Sequence, residues 1–208
     1  MPVETTTYSL ERAAPAKSER RDDKRHLTLF RVGAMTIQGR RELCLIKNIS
    51  AGGMKIRPYC ALEVGDRLTV ELKTGTSADG HVAWIEAGNA GVEFDQQVDV
   101  IDILSASQDG PRPRMPRIEV DCHATVREGA QSWRMRVIDV SQGGVKLESA
   151  ALLPRGSDII VTLPDLAPQP GVARWCEDGY VGVTFNRLLS LGELVDWLRS
   201  MRDEARAA

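Results

Sequence analysis

The sequence predicts a mainly all-β protein in which two small antiparallel barrels follow one another along the chain. Three observations favour this fold class. The chain repeats itself at domain scale, each copy contains several short apolar runs, and glycine-rich turns separate those runs. Short strands at such spacing, bounded by turn residues, are typical of barrels that close their edges on themselves.

An internal repeat relates the two halves of the chain. The segment NISAGG at Asn48–Gly53 resembles DVSQGG at Asp139–Gly144, at an offset of 91 positions. Upstream the offset becomes 92 and pairs Arg25 with Arg117. We expect this one-residue slip in the first hairpin loop, where insertions cost little. A period this long predicts independent small domains rather than a solenoid.

The repeat and the composition divide the chain into four segments. Residues 1–18 lack apolar periodicity and are predicted to be a disordered tail. The first domain covers 19–104 and the second domain covers 112–208, including a C-terminal helix. Between them, residues 105–111 are rich in Ser and Gly and mark a linker.

The elements follow in order along each copy. Apolar residues alternate with polar ones in the strand period, as in Val70-Glu71-Leu72. The strands expected in the first copy are Leu43–Ile49, Gly53–Ile56, Arg67–Leu72, Val82–Ile85 and Gly91–Phe94. Those expected in the second copy are Met135–Val140, Gly144–Leu147, Asp158–Leu163, Val172–Trp175 and Gly182–Phe185.

The segment that follows the last strand of each copy is predicted to be helical. Val98–Leu104 indicates a short helix or turn, and Ser190–Ala205 places its leucines and Val195 on one face at helical spacing. Ser190 and Glu193 form a capping box at the start of the second helix. We expect this helix to pack on its own barrel as a lid, and a dimerisation or partner helix stays open.

Composition excludes several functional classes. A formal net charge of -2 and 5% aromatic residues disfavour DNA or RNA binding. No stretch approaches the roughly 18 apolar residues of a membrane span, and the N-terminus lacks the apolar core of a secretory signal. The four cysteines are scattered without CxxC spacing, so we expect reduced thiols in a cytoplasmic protein.

Catalytic and cofactor patterns are lacking in the sequence. The three histidines are dispersed without metal-ligand spacing. Ser50 and Ser141 lack a GxSxG context, and there is neither a P-loop nor a GxGxxG. We therefore expect neither an enzyme nor a bound metal or cofactor. Trp84 and Trp175 recur at equivalent positions and are interpreted as core or barrel-end aromatics rather than stacking platforms.

Two motifs of the first copy belong together. Arg21 and Arg25 form an RxxxR preceded by Arg20, and Asn48, Ser50 and Gly53 form an NxSxxG. An arginine fork pairs with a phosphate or binds guanine O6 and N7, and its flat face stacks on a purine. A lysine would pair with the phosphate but would neither bind the guanine edge with two bonds nor stack on the base.

In this order, at this spacing and in duplicate, the motifs resemble the signature of the PilZ domain family. Gly80–Trp84 and Gly91–Phe94 extend the resemblance, which covers residues 19–96 and 112–187. It implies six-stranded barrels, each with a short C-terminal helix, in a bacterial receptor for the second messenger cyclic di-GMP. It further implies a role in processes such as motility, exopolysaccharide synthesis, biofilm formation or virulence, with a protein partner that it does not identify.

The resemblance assigns the ligand to the first domain. Arg21 and Arg25 are the primary expected contacts, with Arg20 next, because an arginine in that position accompanies a stacked pair of ligands in the family. Asn48 and Ser50 would supply short polar groups to a guanine edge or to the turn. Two glycines, Gly52 and Gly53, would let the backbone approach closely or take positive φ.

The second copy departs from this pattern. Its Asp139, Ser141 and Gly144 match, but Pro113 stands where the first copy has Arg21. The arginines that remain are Arg112, Arg114 and Arg117. We expect weak or no ligand binding here and a scaffold or partner-docking role for this barrel. The alternative for the whole chain is a PilZ-fold interaction module that works without ligand.

Overall fold

The structure, a computed structural model, describes residues 26–73, 76–105, 115–149 and 153–207. The tail predicted at 1–18 and the linker beyond Ser105 lie outside these ranges, so their boundaries stay predictions. Within the described ranges, no helix has the length and apolar character needed to cross a membrane.

Six strands form the first barrel: β1 His26–Ile37, β2 Arg40–Ser50, β3 Gly53–Pro58, β4 Arg67–Lys73, β5 Thr76–Glu86 and β6 Asn89–Phe94. A short helix, α1 Val100–Ser105, follows it. The neighbouring strands are antiparallel in the order β1-β2-β3-β6-β5-β4, and β1 closes the barrel on β4. Every strand edge is thereby paired, as a closed barrel requires.

The second barrel repeats this topology with β7 Ile118–Glu128, β8 Gln131–Ser141, β9 Gly144–Glu148, β10 Asp158–Thr162, β11 Gln169–Glu177 and β12 Tyr180–Phe185. A longer helix, α2 Leu191–Ala207, ends the described chain. The prediction of two six-stranded antiparallel barrels, each followed by a helix, is therefore confirmed.

The period-2 alternation places one face of each strand in the core. In β4, Leu68, Val70 and Leu72 point inward and are buried, because successive side chains leave a strand on opposite faces. Two-residue hairpin loops join several strands. At Gln38-Gly39 both residues have positive φ (49° and 74°), which matches the right-handed twist of the flanking strands.

The one-residue slip between the copies lies in β1, so its expected place in the first hairpin loop is wrong. His26 pairs with Ile49 and Arg31 with Ile46, whereas in the second barrel Ile118 pairs with Val140 and Cys122 with Val137. The first copy fits one more residue between the same two ladder positions, at register shifts near Thr28. A bulge absorbs the extra residue without disturbing the pairing on either side.

Helix α2 covers the end of its own barrel, as predicted. Leu194, Val195, Trp197 and Leu198 are buried in the core of the second barrel. The predicted capping box is present: the Glu193 backbone N–H donates to Ser190 Oγ (3.1 Å), and the Ser190 N–H donates to Glu193 Oε2 (2.8 Å). These bonds satisfy donors that a helix start otherwise leaves unpaired.

The two barrels contact each other through β2 and α2. Leu43 of the first barrel is buried in the apolar cluster of the second, with Val32 and Tyr59 packed against the same cluster. Beside it, the buried Glu42 accepts a bond from Arg202 Nη2 at 2.6 Å. A short polar linker favours inter-domain motion by default, and these contacts stabilise the arrangement described here.

Candidate functional site

The predicted NxSxxG motif lies at the end of β2 that pairs with the start of β1. Arg20, Arg21 and Arg25 lie outside the described residues. The segment that carries them joins the barrel at His26, whose partner across the sheet is Ile49, between Asn48 and Ser50. In sequence, Arg25 directly precedes His26, the first residue of β1.

The NxSxxG motif is a tight connection between β2 and β3. Ser50 faces Gly53 in the ladder, and its hydroxyl donates to the Gly53 carbonyl at 3.1 Å. The Lys55 backbone N–H donates to Asn48 Oδ1 at 3.2 Å. Because the Asn48 oxygen is engaged by the backbone, its NH₂ group is the part of the side chain left to donate to a ligand.

Close packing requires a glycine at position 53 of this turn. A Cβ at Gly53 would overlap the carbonyl oxygen of Val92 on β6. The Gly52 carbonyl accepts the Phe94 N–H at 2.9 Å. Neither glycine has positive φ. Of the two predicted reasons for glycine, close backbone approach is the one that applies at Gly53.

A row of cross-strand neighbours extends the site across the outside of the barrel. Asn48 pairs with Lys55, Lys55 with Gly91, and Gly91 with Trp84. The indole of Trp84 lies over Gly91, where a Cβ would overlap it. Lys55 Nζ stands 5.7 Å from the Trp84 ring centroid, within cation–π range.

Of the two predicted positions for Trp84, core or barrel end, the core is therefore wrong. Its ring is half-buried and lies on the outer surface of the sheet. A register shift between Val82 and Trp84 turns the side chain outward, which sequence alternation alone does not reveal. Lys55 was likewise missed as a site residue, although the repeat pairs it with Lys146; its nearness to Asn48 depends on the hairpin register.

The second barrel has an equivalent row of cross-strand neighbours, in which an aspartate replaces the asparagine of the first. Asp139 pairs with Lys146, and Ser141 Oγ donates to the Gly144 carbonyl at 3.3 Å, as in the first copy. Lys146 Nζ lies 4.1 Å from the ring centroid of Tyr180. In contrast to Asn48, Asp139 accepts a bond from Arg117 Nη1 at 2.9 Å.

The three predicted arginines of the second copy are only partly covered by the structure. Arg112 and Arg114 lie outside the described residues. Arg117 is half-exposed, and its partner Asp139 has 18% of its side chain accessible. Met115 and Leu188 flank Gly143 of the turn. This turn is thus bordered by apolar groups and by one paired arginine.

No group of three or more His, Cys, Asp or Glu side chains could hold a metal ion in the part of the chain that the structure describes. None of the four cysteines, all of which lie in the described ranges, forms a disulfide. Burial raises the pKa of Cys44 to about 12 and of Cys60 to about 11. These two thiols are protonated at neutral pH, and the nucleophilic form of a cysteine is the thiolate.

Comparison with family models gives a match to the PilZ domain over residues 19–106 and again over 111–199. A comparison with curated proteins finds no match.

Three solved structures resemble the chain. PlzA of Borreliella burgdorferi in complex with c-di-GMP is 13% identical, with a TM-score of 0.36, over 81% of this chain and 86% of that one. YcgR of Escherichia coli in complex with c-di-GMP is 15% identical, with a TM-score of 0.36, over 85% and 86%. The MrkH–c-di-GMP complex of K. pneumonia is 11% identical, with a TM-score of 0.34, over 85% and 89%.

Proposed function

The chain belongs to the PilZ domain family, and from this premise we propose that its first barrel binds cyclic di-GMP as a non-enzymatic receptor. The observation that carries the proposal is that β1 begins beside the NxSxxG motif. His26, which follows the arginine segment in sequence, pairs with Ile49, and Asn48 and Ser50 flank that residue on β2. A ligand lying on this end of the barrel would reach both.

The chemistry of these groups suits the ligand. Cyclic di-GMP carries two phosphates and two guanines. Arg21 and Arg25 would pair with phosphate oxygens or with guanine O6 and N7, and Arg20 would extend the contacts to a second, stacked ligand. The free NH₂ of Asn48 donates, so it fits the acceptor edge of a guanine.

The surface around the motif would add charge and a flat apolar face. Lys55 lies next to Asn48 in the ladder, and Trp84 lies beyond it on the same outer surface. A purine that extends along this row would meet an ammonium group and then an indole. Stacking of a base on an aromatic ring contributes roughly 1–3 kcal/mol.

The second barrel would act mainly as a scaffold that responds to the first. It holds Leu43 and Glu42 of β2, the same strand that carries Asn48 and Ser50 at its other end. Ligand binding that pins the arginine segment onto the first barrel would change the surface beside this junction. A protein partner would read that change.

The test is isothermal titration of the full chain with cyclic di-GMP, read for affinity and stoichiometry. Binding at micromolar affinity or tighter, about −8 kcal/mol, that is lost in Arg21→Ala/Arg25→Ala would support the receptor. Arg12→Ala is the matched control, because it removes an arginine from the predicted tail. Absence of heat and of any thermal shift would overturn the receptor and leave a ligand-independent interaction module.

A further inference from the structure

Three cations and one aromatic ring follow one another across the outer face of the second barrel. They are Lys146 on β9, Trp175 and Arg174 on β11, and Arg155 in the loop before β10. Neighbouring strands lie about 4.8 Å apart, so a line from β9 over β12 and β11 to the edge of β10 is about 14 Å long. We call these four residues the basic stripe.

The indole of Trp175 lies on the outside of the sheet. Gly182 of β12 pairs with Lys146 on one side and with Trp175 on the other. Its neighbours Val181 and Val183 are buried in the core, so a side chain at position 182 would point outward. The indole fills that space, because a Cβ at Gly182 would overlap it. Trp175 is half-buried, and the core position predicted for it is wrong.

Two arginines lie next to each other at the far end of the stripe. Arg174 is the residue at the register shift between Ala173 and Trp175. The Gly156 N–H donates to the Ala173 carbonyl at 2.7 Å, which places the loop of Arg155 beside β11. Both arginines are exposed. Of the ion pairs among the described residues, none involves either of them, so both guanidinium groups are open to an incoming anion.

The positive charge of the stripe is specific to the second copy. Arg174 and Arg155 stand where the first copy has Ala83 and Val64, at the offset of 91. Val64 is 65% exposed, so this position faces solvent in both barrels. The first barrel folds with two small apolar residues here. The fold therefore does not require the two arginines, which leaves their charge available for binding.

Lys146 at the other end of the stripe is positioned by a second ring. Its Nζ lies 4.1 Å from the ring centroid of Tyr180, within cation–π range. Glu148 and Glu177 pair with Tyr180 in the ladder and would repel a polyanion there. We therefore expect an anionic chain to cross Trp175 rather than Tyr180.

The alternation of cations with an exposed ring favours one class of ligand. Proteins that bind single-stranded nucleic acid combine a positive surface for the phosphates with aromatic rings on which the bases stack. A chain of carboxylates would use the arginines but not the ring. A duplex keeps its bases stacked on one another, so Trp175 could reach them only at the cost of unstacking.

We propose that the basic stripe of the second barrel binds single-stranded nucleic acid, with Lys146, Arg174 and Arg155 on the phosphates and Trp175 stacked on a base. The inference does not depend on cyclic di-GMP binding by the first barrel. It departs from the expectation drawn from a net charge of -2 and 5% aromatic residues. Those values average over the whole chain, whereas a few clustered cations create a local field.

The experiment measures fluorescence anisotropy of a labelled oligothymidylate of about 12 nucleotides, within the site sizes of small barrels, with the full chain. A plot of log K against log salt should have a slope of about −2, the value for three phosphate contacts on a single strand. Arg155→Val/Arg174→Ala installs the residues of the first copy. It should weaken binding by about tenfold or more and reduce the slope to about −0.7.

The matched control is Arg127→Ala/Arg199→Ala, which removes two exposed arginines that lie outside the stripe. It should leave both the affinity and the slope nearly unchanged. An abasic oligonucleotide of the same length keeps the phosphates and lacks the bases, so it should bind about five- to a hundredfold more weakly. Melting temperatures show that each variant is folded.

Several outcomes would overturn the proposal. They are no anisotropy change with the unmodified chain, unchanged binding in Arg155→Val/Arg174→Ala, and equal affinity for the abasic oligonucleotide. Equal or tighter binding of a duplex of the same length, or of labelled polyglutamate, would also overturn it. Titration of the same samples with cyclic di-GMP tests the proposed function separately, because that ligand is assigned to the first barrel.

Discussion

Glu42 of β2 and Arg202 of α2 form an ion pair of 2.6 Å that joins the two barrels. The carboxylate has only 4% of its side chain exposed, while the guanidinium has 36%. A charge so far from water depends on its partner. The orientation of the barrels and the burial of Glu42 are therefore coupled.

Replacement of Arg202 by Met should destabilise the chain strongly, by up to about 3–5 kcal/mol, because it leaves a buried carboxylate unpaired. Glu42→Gln should cost less, and Glu42→Gln/Arg202→Met should recover part of the loss. A double-mutant cycle by urea denaturation measures the coupling. Strictly additive effects would mean that the pair does not link the barrels. Arg199→Met, on an exposed part of the same helix, is the matched control.

Arg21→Ala or Arg25→Ala should each weaken the tight binding of cyclic di-GMP by about ten- to a hundredfold, the cost of one charge-assisted contact. Asp139→Ala should leave the tight event nearly unchanged, because it belongs to the other barrel. Titration calorimetry of the three single variants provides the comparison. Equal losses from all three would contradict the asymmetry between the two copies.

Gly53→Ala should lower stability by about 1–3 kcal/mol, since the new methyl group overlaps the Val92 carbonyl and the strands must shift. Thermal denaturation measures the loss. Gly192→Ala is the matched control, because its Cβ meets nothing closer than Ser190 Oγ at 4.0 Å and the position is helical. It should be neutral or stabilising. A normal melting temperature for Gly53→Ala would show that the turn tolerates a side chain.

Ser190→Ala should lower the melting temperature by a few degrees by removing the cap of α2. Its effect should depend on pH. The hydrogen bond from Ser190 holds the pKa of Glu193 below its ordinary value of 4.5. The resulting stabilisation is present above that ordinary value and is lost as the pH falls through the lowered, folded-state pKa.

Melting temperatures of Ser190→Ala and the unmodified chain, compared from pH 7 down to pH 3, should differ less at the acid end. A difference should remain there, because the bond from the Glu193 N–H to Ser190 Oγ does not titrate. Ser200→Ala serves as control, because its hydroxyl bonds to the Trp197 carbonyl inside the same helix. A difference that is constant over the whole range would argue that the Ser190 hydroxyl does not stabilise the Glu193 carboxylate.

The local sequence pattern was sufficient to predict most of the fold. Alternation placed Val70 and Leu72 inside the barrel, and the spacing of Ser190 and Glu193 predicted the capping box. The NxSxxG turn was predicted too, because the repeat doubled a weak signal. These features depend on residues that are close in sequence or related by one offset.

The features that the sequence did not reveal depend on distant residues. Trp84 lies outside the barrel because the register shifts beside it. Glu42 looks like an ordinary exposed charge of a strand, and its burial depends on a helix at the other end of the chain. Arg155 and Arg174 belong to no motif, and their nearness to Trp175 depends on the strand register and on the loop before β10.

The two barrels take unequal parts in their junction. The helices that follow them begin at equivalent positions, Val100 and Leu191. In the described residues, α2 reaches the first barrel through Arg202, which pairs with Glu42. The second barrel carries Trp133 and Arg134 where the first carries Glu42 and Leu43, so these positions lack the carboxylate that Arg202 pairs with. The junction is therefore heterologous, and the two halves share a fold without being interchangeable.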